Sequence, residues 1–263
     1  MNPITNISMN FKKVKILGVN IFADSKDTFI NYFLKLLNGN FTDKKDIFTP
    51  NVDFLVNAVK DKEFKEILNS SYINLPDGKP LVWLSYLYDK KIKQKISGSS
   101  IFFELMQKGH LKNRSVFLLG GTTQEILNKS IKNIRGYGIK RVAGYCPVFG
   151  FEKNEIINER IITLINRFSP EVIVIGLGSP KQEKYIYHIK NKINYKVSFC
   201  LGATIDFISG AKSPPPDFLK VIGFAWIWRL IQEPSRLWRR YLLHDMKIFF
   251  YILQEKLRLK DFS

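Results

Sequence analysis

The chain has 263 residues, of which 45% are hydrophobic, and carries 41 Lys and Arg against 23 Asp and Glu. That length and apolar fraction suit a packed globular protein and exclude collagen-like and disordered classes. With only Cys146 and Cys200, the chain has too few cysteines for a disulfide framework, which favours a reducing compartment. The net charge of +18 favours anionic partners, namely nucleic acid, acidic lipid headgroups or phosphorylated substrates.

The N-terminal sequence, MNPITNISMNFKK, lacks the order of a signal peptide, in which a basic segment precedes an uninterrupted apolar core. Nor does any uncharged run approach the roughly 18–20 residues that span a bilayer. A cytoplasmic location is therefore expected from the sequence.

Four apolar runs in the first 211 residues predict strands. The run at 46–50 precedes Asn51, whose side chain is expected to cap a helix over the following VDFLVNAVKDKEFKEIL. The other three runs, at 115–121, 172–178 and 197–202, each end on glycine and precede a helix-compatible stretch. Because continuous apolar runs are typical of strands buried on both faces, they predict an α/β fold with a mainly parallel sheet under helices.

The clearest boundary is SPPP at 213–216, since three prolines continue neither a helix nor an inner strand. Residues 1–211 are therefore predicted to form the α/β core, and residues 212–263 a helical appendage that is broken near Pro234. Five of the ten arginines and three of the four tryptophans lie after residue 220. Arg binds phosphate as a bidentate fork and Trp favours membrane interfaces, which suits an interfacial helix. The alternative is a helix packed on the core or in a subunit interface, which would allow a homo-oligomer away from the membrane.

A first group of candidate site residues follows the first predicted core strand. Thr49 and Asn51 offer short polar side chains where the carboxyl ends of parallel strands line a ligand crevice. Asp77 lies between proline and glycine in PDGKP, about 25 residues later, so a rigid loop could present it as a general base. The alternative is that PDGKP is simply a tight turn with a turn-forming Asp.

A second group follows the two later strands. The segment GLGSPKQ contains Gly178 and Gln182, and its glycines allow the backbone to approach a phosphate or sugar before the helix that starts after Pro180. It is neither a dinucleotide fingerprint nor a P-loop, because the third glycine and the G-K-[ST] element are missing. Gly202 and Asp206, in GATID, follow the last strand.

Taken together and in order, these pieces resemble the bacterial WecG/TagA/CpsF glycosyltransferase family. They span residues 48 to 241 and read TPNVDFLVNA, LPDGKPLVW, KISGS, FLLGG, VIVIGLGSPKQE, GATIDFISG and EPSRLWRRY. The resemblance implies a Rossmann-like core with a helical C-terminal appendage. It also implies inverting, metal-independent transfer of an N-acetylmannosamine-type sugar from a UDP donor onto undecaprenyl-diphosphate-linked N-acetylglucosamine. That acceptor would place the protein peripherally on the inner membrane face, in wall teichoic acid, capsule or exopolysaccharide synthesis.

The resemblance also implies roles for individual residues. Asp77 occupies the position of the family's catalytic aspartate, and Thr49, Asn51 and Gln182 fall on its polar pocket positions. Gly202 and Asp206 match the element that lines the nucleotide side. Arg229, Arg236 and Arg239 match tail arginines expected to complete the site over the diphosphate. The sequence contains no D-x-D, so protein cations are expected to take the place of a metal.

The chain departs from the family pattern at two places. Lys95 and Ser100 stand where the family usually has Arg and Asp, and Lys95 keeps the charge without the bidentate fork. Residues 213–215 are Ser-Pro-Pro where the family usually has Arg-Ala-Pro. These departures leave a non-catalytic, membrane-associated assembly subunit as one alternative. A nucleic-acid-binding protein is another, but the charges are dispersed and no binding motif is present, so no nucleic-acid partner is expected.

Overall fold

The computed structural model describes residues 11–39 and 43–260. Six of the described strands form one parallel sheet, in the order β4-β3-β8-β7-β5-β6. These strands are β3 (Lys45–Phe48), β4 (Ile73–Asn74), β5 (Ser115–Gly120), β6 (Arg141–Tyr145), β7 (Val172–Gly176) and β8 (Val197–Cys200). The four apolar runs are β3, β5, β7 and β8, so the predicted parallel α/β fold is confirmed.

The central strands are mostly apolar because each supplies two hydrophobic cores. In β5, Phe117 and Leu119 join the core on one face, whereas Val116 and Leu118 join the core on the other. Since successive side chains of a strand point to opposite faces, a strand covered on both sides favours apolar residues at nearly every position. Ser198 in β8 is a buried exception, and its hydroxyl donates to Asp46 Oδ1 at 2.6 Å.

Helices cover both faces of the sheet. The first face is covered by α2 (Val52–Lys60), α3 (Lys62–Ser70), α4 (Lys79–Ser85), α7 (Glu155–Phe168) and α8 (Lys181–Ile189). The second is covered by α1 (Lys26–Asn38), α5 (Gly98–Gln107), α6 (Gln124–Gly136) and α9 (Thr204–Ser209). Asn51 caps α2 as predicted, since its side chain accepts from the Phe54 N–H at 3.4 Å. The predicted single helix is wrong in length, because Asp61 ends α2 and caps α3 through the Phe64 N–H at 3.0 Å.

Strands β4 and β6 and the hairpin of β1 and β2 were not predicted from the sequence patterns. Strand β4 has two residues, and β6 lies at the edge of the sheet, where its residues are mostly half-buried. An antiparallel hairpin of β1 (Lys13–Ile16) and β2 (Val19–Phe22) precedes α1. It lies beside β4, where the Asn74 side-chain amide donates to the Asn20 carbonyl oxygen at 2.9 Å.

The recurring glycine at the strand ends has a packing cause. A Cβ at Gly120 would lie 2.5 Å from the carbonyl oxygen of Gly176, and a Cβ at Gly176 would lie 2.7 Å from that of Gly202. At Gly120 and Gly176 the neighbouring backbone therefore lies too close for any side chain. This close approach brings the loops after these strands together at the carboxyl edge of the sheet.

Residues after SPPP form α10 (Asp217–Ile222), α11 (Ala225–Gln232), α12 (Pro234–Arg239), a π-helical turn (Arg240–His244) and α13 (Lys247–Lys260). The chain therefore breaks at more points than the predicted one near Pro234. Ile248 and Ile252 of α13 are buried in the first core, and the Tyr88 hydroxyl donates to Glu255 at 2.5 Å. The expectation that the tail packs on the core holds for this side of α13, while Phe249, Phe250 and Leu253 are exposed.

Candidate active site

Backbone hydrogen bonds place Asp77 at the carboxyl edge of the sheet. The Asp77 N–H donates to the Pro50 carbonyl oxygen at 2.9 Å, which joins its loop to the turn after β3. The Ile96 N–H donates to the Pro76 carbonyl oxygen at 2.7 Å, which brings Lys95 to the same loop. These bonds bring Asp77 and Lys95, which are separated in the chain, to one place at the sheet edge.

The Asp77 carboxyl lies in an environment that disfavours its charge. Desolvation raises its pKa above the ordinary value, while the charges of Arg229 and Lys95, a hydrogen bond from Ser97 and the charge of Arg240 oppose the rise. Burial thus favours the protonated carboxyl, whereas the cations and the Ser97 hydrogen bond favour the carboxylate. A carboxyl with a raised pKa beside cations suits proton abstraction next to a phosphate-bearing substrate.

Two of these cations come from the C-terminal tail, and an aspartate of the core holds one of them. Arg240 Nη2 lies 3.1 Å from Oδ2 of Asp53, in the first turn of α2. His244 Nδ1 lies 3.4 Å from the other oxygen of Asp53. Because Asp53 is 7% exposed, this contact is a partly buried anchor between the tail and the strand-end turn that carries Thr49 and Asn51.

The side chains of Thr49 and Asn51 both form hydrogen bonds within the protein. The Thr49 hydroxyl donates to the Cys200 carbonyl oxygen at 3.2 Å, which ties the end of β3 to that of β8. Asn51 uses its side-chain oxygen as the cap of α2. Its side chain is half-buried, so its amide group is the part that remains for a ligand.

Gln182 joins the two glycine loops. Its side-chain oxygen accepts from the N–H of Gly178 at 3.2 Å and from the N–H of Gly202 at 3.0 Å. Both N–H groups are therefore used within the protein. Among the described residues, no atom lies within 4 Å of where a Cβ at Gly178 or Gly202 would stand. These glycines thus leave open space at the strand ends, whereas Gln182 is buried behind them and sets their separation.

Glu183 accepts a hydrogen bond from the Gln182 side chain. The Gln182 amide donates to Glu183 Oε1 at 2.6 Å, and the Glu183 side chain is fully buried. Burial raises the pKa of Glu183 to about 7, although the hydrogen bond from Gln182 opposes the rise. Glu183 therefore binds a proton in the fold at a pH where it is ionised in the unfolded chain.

Replacing Glu183 with glutamine should change how the stability depends on pH. The folded-state pKa of about 7 lies above the ordinary 4.5, so the wild-type free energy of unfolding falls as the pH rises between these values. The total fall is on the order of 3 kcal/mol, since one pKa unit corresponds to ~1.4 kcal/mol. The free energy of unfolding of Glu183→Gln should match that of the wild type near pH 4.5 and exceed it above about pH 7. Chemical denaturation at a series of pH values measures this difference.

Glu125→Gln, at an exposed site on α6, is the control and should keep the wild-type dependence of stability on pH. If Glu183→Gln shows that same dependence, the raised pKa is not that of Glu183.

Asp206 fastens a third loop to the site. Its carboxylate accepts from the N–H of Thr122 at 3.2 Å and from the hydroxyl of Thr122 at 2.9 Å, which ties α9 to the loop after β5. Lys212 Nζ lies 3.6 Å from Asp206 and 2.8 Å from Glu233 in the tail. Asp206 therefore fixes the loop after β5 against α9 and is connected to the tail through Lys212.

The three arginines predicted from the tail occupy different places. Arg229, on α11, is half-buried and acts on Asp77. Arg239 is exposed, and its guanidinium lies 5.3 Å from the centre of the Trp238 ring. Arg236 lies on α12, and its side chain is outside the described part of the structure.

The sequence patterns missed Asp53, Ser97, Glu183 and Arg240. A signal existed for two of them, because Asp53 interrupts the apolar helix VDFLVNAV and Glu183 directly follows Gln182. The contact of Asp53 with Arg240 joins residues far apart in the chain, and no local pattern indicates it.

One group of side chains has the composition of a cation site. Asp53, His244 and Asp245 bring potential ligand atoms within 4.8 Å of one another. Arg240 contacts Asp53, so a guanidinium already supplies positive charge there. Desolvation, and secondly the charge of Asp53, raises the pKa of Asp245 to about 6. A raised pKa lowers the negative charge that the two carboxyls carry together, so one nearby cation can balance it.

Comparisons with known proteins show which family the chain belongs to. A model of the WecG/TagA/CpsF glycosyl transferase family matches residues 14–262. The chain is 29% identical over 233 residues to the N-acetylglucosaminyldiphosphoundecaprenol N-acetyl-beta-D-mannosaminyltransferase of Bacillus subtilis (strain 168), with 88% of each chain covered. It is 26% identical over 258 residues to the protein of the same name from Staphylococcus aureus (strain MRSA252), with 95% of this chain and 96% of that relative covered.

Within residues 11–39 and 43–260, no helix combines the length and the hydropathy needed to cross a bilayer. The family match covers both the core and the tail, including every loop that meets at the carboxyl edge of the sheet. The chain is therefore a glycosyltransferase that belongs to the WecG/TagA/CpsF family.

Proposed function

We propose that this chain transfers an N-acetylmannosamine-type sugar from a UDP-sugar onto undecaprenyl-diphosphate-linked N-acetylglucosamine. The names of the relatives support the sugar and the acceptor. The observation that carries the proposal is Asp77, a carboxyl with a raised pKa that is surrounded by Lys95, Arg229 and Arg240. A site that pairs one base with several cations suits a reaction in which a hydroxyl attacks and a diphosphate leaves.

The proposed chemistry is a single displacement with inversion. Asp77 takes the proton of the acceptor hydroxyl as that oxygen forms a bond to the anomeric carbon of the donor sugar. The bond between the anomeric carbon and the diphosphate breaks, and UDP departs with the electron pair. Lys95 and Arg229 stabilise the charge that develops on the diphosphate, so the step needs no metal. The open space beside Gly178 and Gly202 receives the donor.

We propose further that residues 212–263 form an appendage that brings the enzyme to the inner face of the cytoplasmic membrane. Supporting this, Phe249, Phe250 and Leu253 of the tail are exposed, and Arg229 and Arg240 of the tail act on Asp77. The glycan would be wall teichoic acid, capsule or exopolysaccharide. The family match favours an active transferase over the non-catalytic assembly subunit and the nucleic-acid binder.

The decisive experiment assays the full-length protein with a panel of UDP-sugars and a lipid-diphosphate-N-acetylglucosamine acceptor. We expect UDP release that depends on both substrates, is greatest with UDP-N-acetylmannosamine and persists in EDTA. Product anomeric configuration, read by NMR, should be inverted. Activity that EDTA abolishes and Mg²⁺ restores would contradict metal independence and direct attention to Asp53, His244 and Asp245. No UDP release with any donor would overturn the proposal.

A further inference from the structure

Helix α4, which begins two residues after Asp77, leaves a cluster of large apolar side chains uncovered. Leu81, Val82 and Leu84 are buried, but Trp83, Tyr86 and Leu87 are 51%, 61% and 54% exposed. Single exposed apolar residues are ordinary, whereas two aromatic residues and a leucine within five positions mark an interaction surface. We call Trp83, Tyr86 and Leu87 the α4 cluster.

The α4 cluster adjoins the tail. A Cβ at Gly223, between α10 and α11, would lie 3.0 Å from the Trp83 ring and 3.0 Å from Lys79 Cβ. On either side of Gly223, Ile222 and Phe224 are exposed. The exposed apolar residues of the turn between α10 and α11 therefore adjoin the α4 cluster.

At the far end of α4, the contacts again run to the tail. Tyr88 bonds Glu255 of α13, and Lys256 Nζ lies 4.3 Å from the centre of the Tyr88 ring. Helix α4 is thus in contact with the tail at both ends, and its exposed cluster lies between these contacts in the chain. The α4 cluster is therefore adjacent to the tail.

The charges beside the cluster indicate the kind of partner. Lys90 and Lys91 follow the cluster and are exposed, as is Asp89 before them, and Lys91 Nζ lies 5.0 Å from the centre of the Tyr86 ring. Lys93 is also exposed, but its Nζ lies 3.2 Å from Asp24 Oδ1. Aromatic side chains flanked by lysines are typical of an interface with anionic lipid, where rings lie at headgroup level and cations meet the lipid charge. Protein–protein interfaces are instead depleted in lysine, which disfavours a second copy of this chain.

The position of α4 gives this contact a consequence for the reaction. A seven-residue helix is about 10 Å long, so the cluster lies within roughly that axial distance of the loop that carries Asp77. A membrane bound at the cluster would hold its phosphate groups close to the catalytic carboxyl. Because α4 belongs to the α/β core, this contact would fix the distance between Asp77 and the bilayer surface.

We propose that the α4 cluster, with Lys90 and Lys91, is a second membrane-contact element that binds the surface of an anionic bilayer. The proposal rests on the proposed function in one respect, namely that the acceptor is lipid-linked. It differs from the tail contact because it lies on the α/β core and directly follows the catalytic loop.

The test is co-sedimentation of the full-length protein with vesicles of phosphatidylglycerol and phosphatidylcholine. The double variant Trp83→Glu with Leu87→Glu should bind at least about tenfold more weakly, since each carboxylate would face the headgroups. The matched control is Val148→Glu with Ile156→Glu, at two exposed apolar positions elsewhere, which should bind like the wild type. Equal binding by all three proteins would overturn the proposal. So would a wild-type dimer, detected by light scattering, that the α4 variant dissociates.

A direct measurement does not depend on how the charged variant folds. In a chain whose tryptophans 226, 228 and 238 are replaced with phenylalanine, Trp83 is the sole tryptophan. We expect its emission to shift to the blue on addition of the anionic vesicles and to be quenched by brominated lipid. Unchanged emission with vesicle-bound protein would place Trp83 in water and refute the proposal.

Activity separates this proposal from the proposed function. With a short-chain acceptor that needs no bilayer, the α4 variant should turn over like the wild type, because the cluster lies outside the catalytic machinery. With acceptor embedded in anionic vesicles, its rate should fall with its binding. A wild type that binds vesicles through Trp83 but turns over no UDP-sugar would refute the function and leave the membrane contact standing.

Discussion

Replacing Asp77 with asparagine should lower kcat by about 10²- to 10⁴-fold, the usual contribution of a general base. Asparagine keeps the shape of the side chain but accepts no proton from the acceptor hydroxyl. Because the site disfavours the Asp77 charge, its loss should not destabilise the fold at neutral pH. The measurement is steady-state UDP release at saturating donor and acceptor, together with a thermal unfolding curve.

A matched control separates loss of the base from loss of a negative charge. Asp43→Asn removes an exposed carboxylate before the opposite, amino end of β3, where Asp43 contacts Lys45 at 3.7 Å. This variant should keep the wild-type rate. Near-normal turnover by a folded Asp77→Asn protein would refute the assignment of Asp77 as the base.

Replacing Arg229 with glutamine should lower kcat/KM by about 10²- to 10³-fold, comparable to the loss of one group that stabilises charge in a transition state. Among the cations that oppose the raised pKa of Asp77, Arg229 has the largest effect. Its removal should therefore raise that pKa further. Since the base acts when deprotonated, the acidic limb of the kcat profile should move to higher pH in Arg229→Gln.

The conservative variant tests both roles of Arg229. Arg229→Lys retains the charge, so the acidic limb should return close to its wild-type position, whereas kcat/KM should recover only in part because lysine lacks the bidentate fork. Steady-state rates across the acidic range measure the two effects together. An acidic limb that is the same in the wild type and in Arg229→Gln would show that Arg229 does not act on the base.

Much of the fold was predictable because its strongest signals are local. Strands β5, β7 and β8 are largely apolar since both of their faces are buried, and Gly120 and Gly176 mark close backbone approach at the ends of β5 and β7. Edge strand β6 and two-residue β4 carry no such signal. The break at Asp61 was missed because the helical pattern continues across it, while capping of the Phe64 N–H ends one helix and begins another.

The sequence by itself determined the parallel α/β fold, the polar turn after β3 and the presence of an aspartate in a rigid loop after it. These depend on hydrophobic periodicity, proline and glycine, which act within a few residues. Only the tertiary structure decided which groups surround Asp77. Arg229 and Arg240 reach it because Asp53 anchors the tail, and Gln182 proves to be the buried link between two glycine loops. Such contacts join residues far apart in the chain, and their electrostatic effect depends on burial that only packing creates.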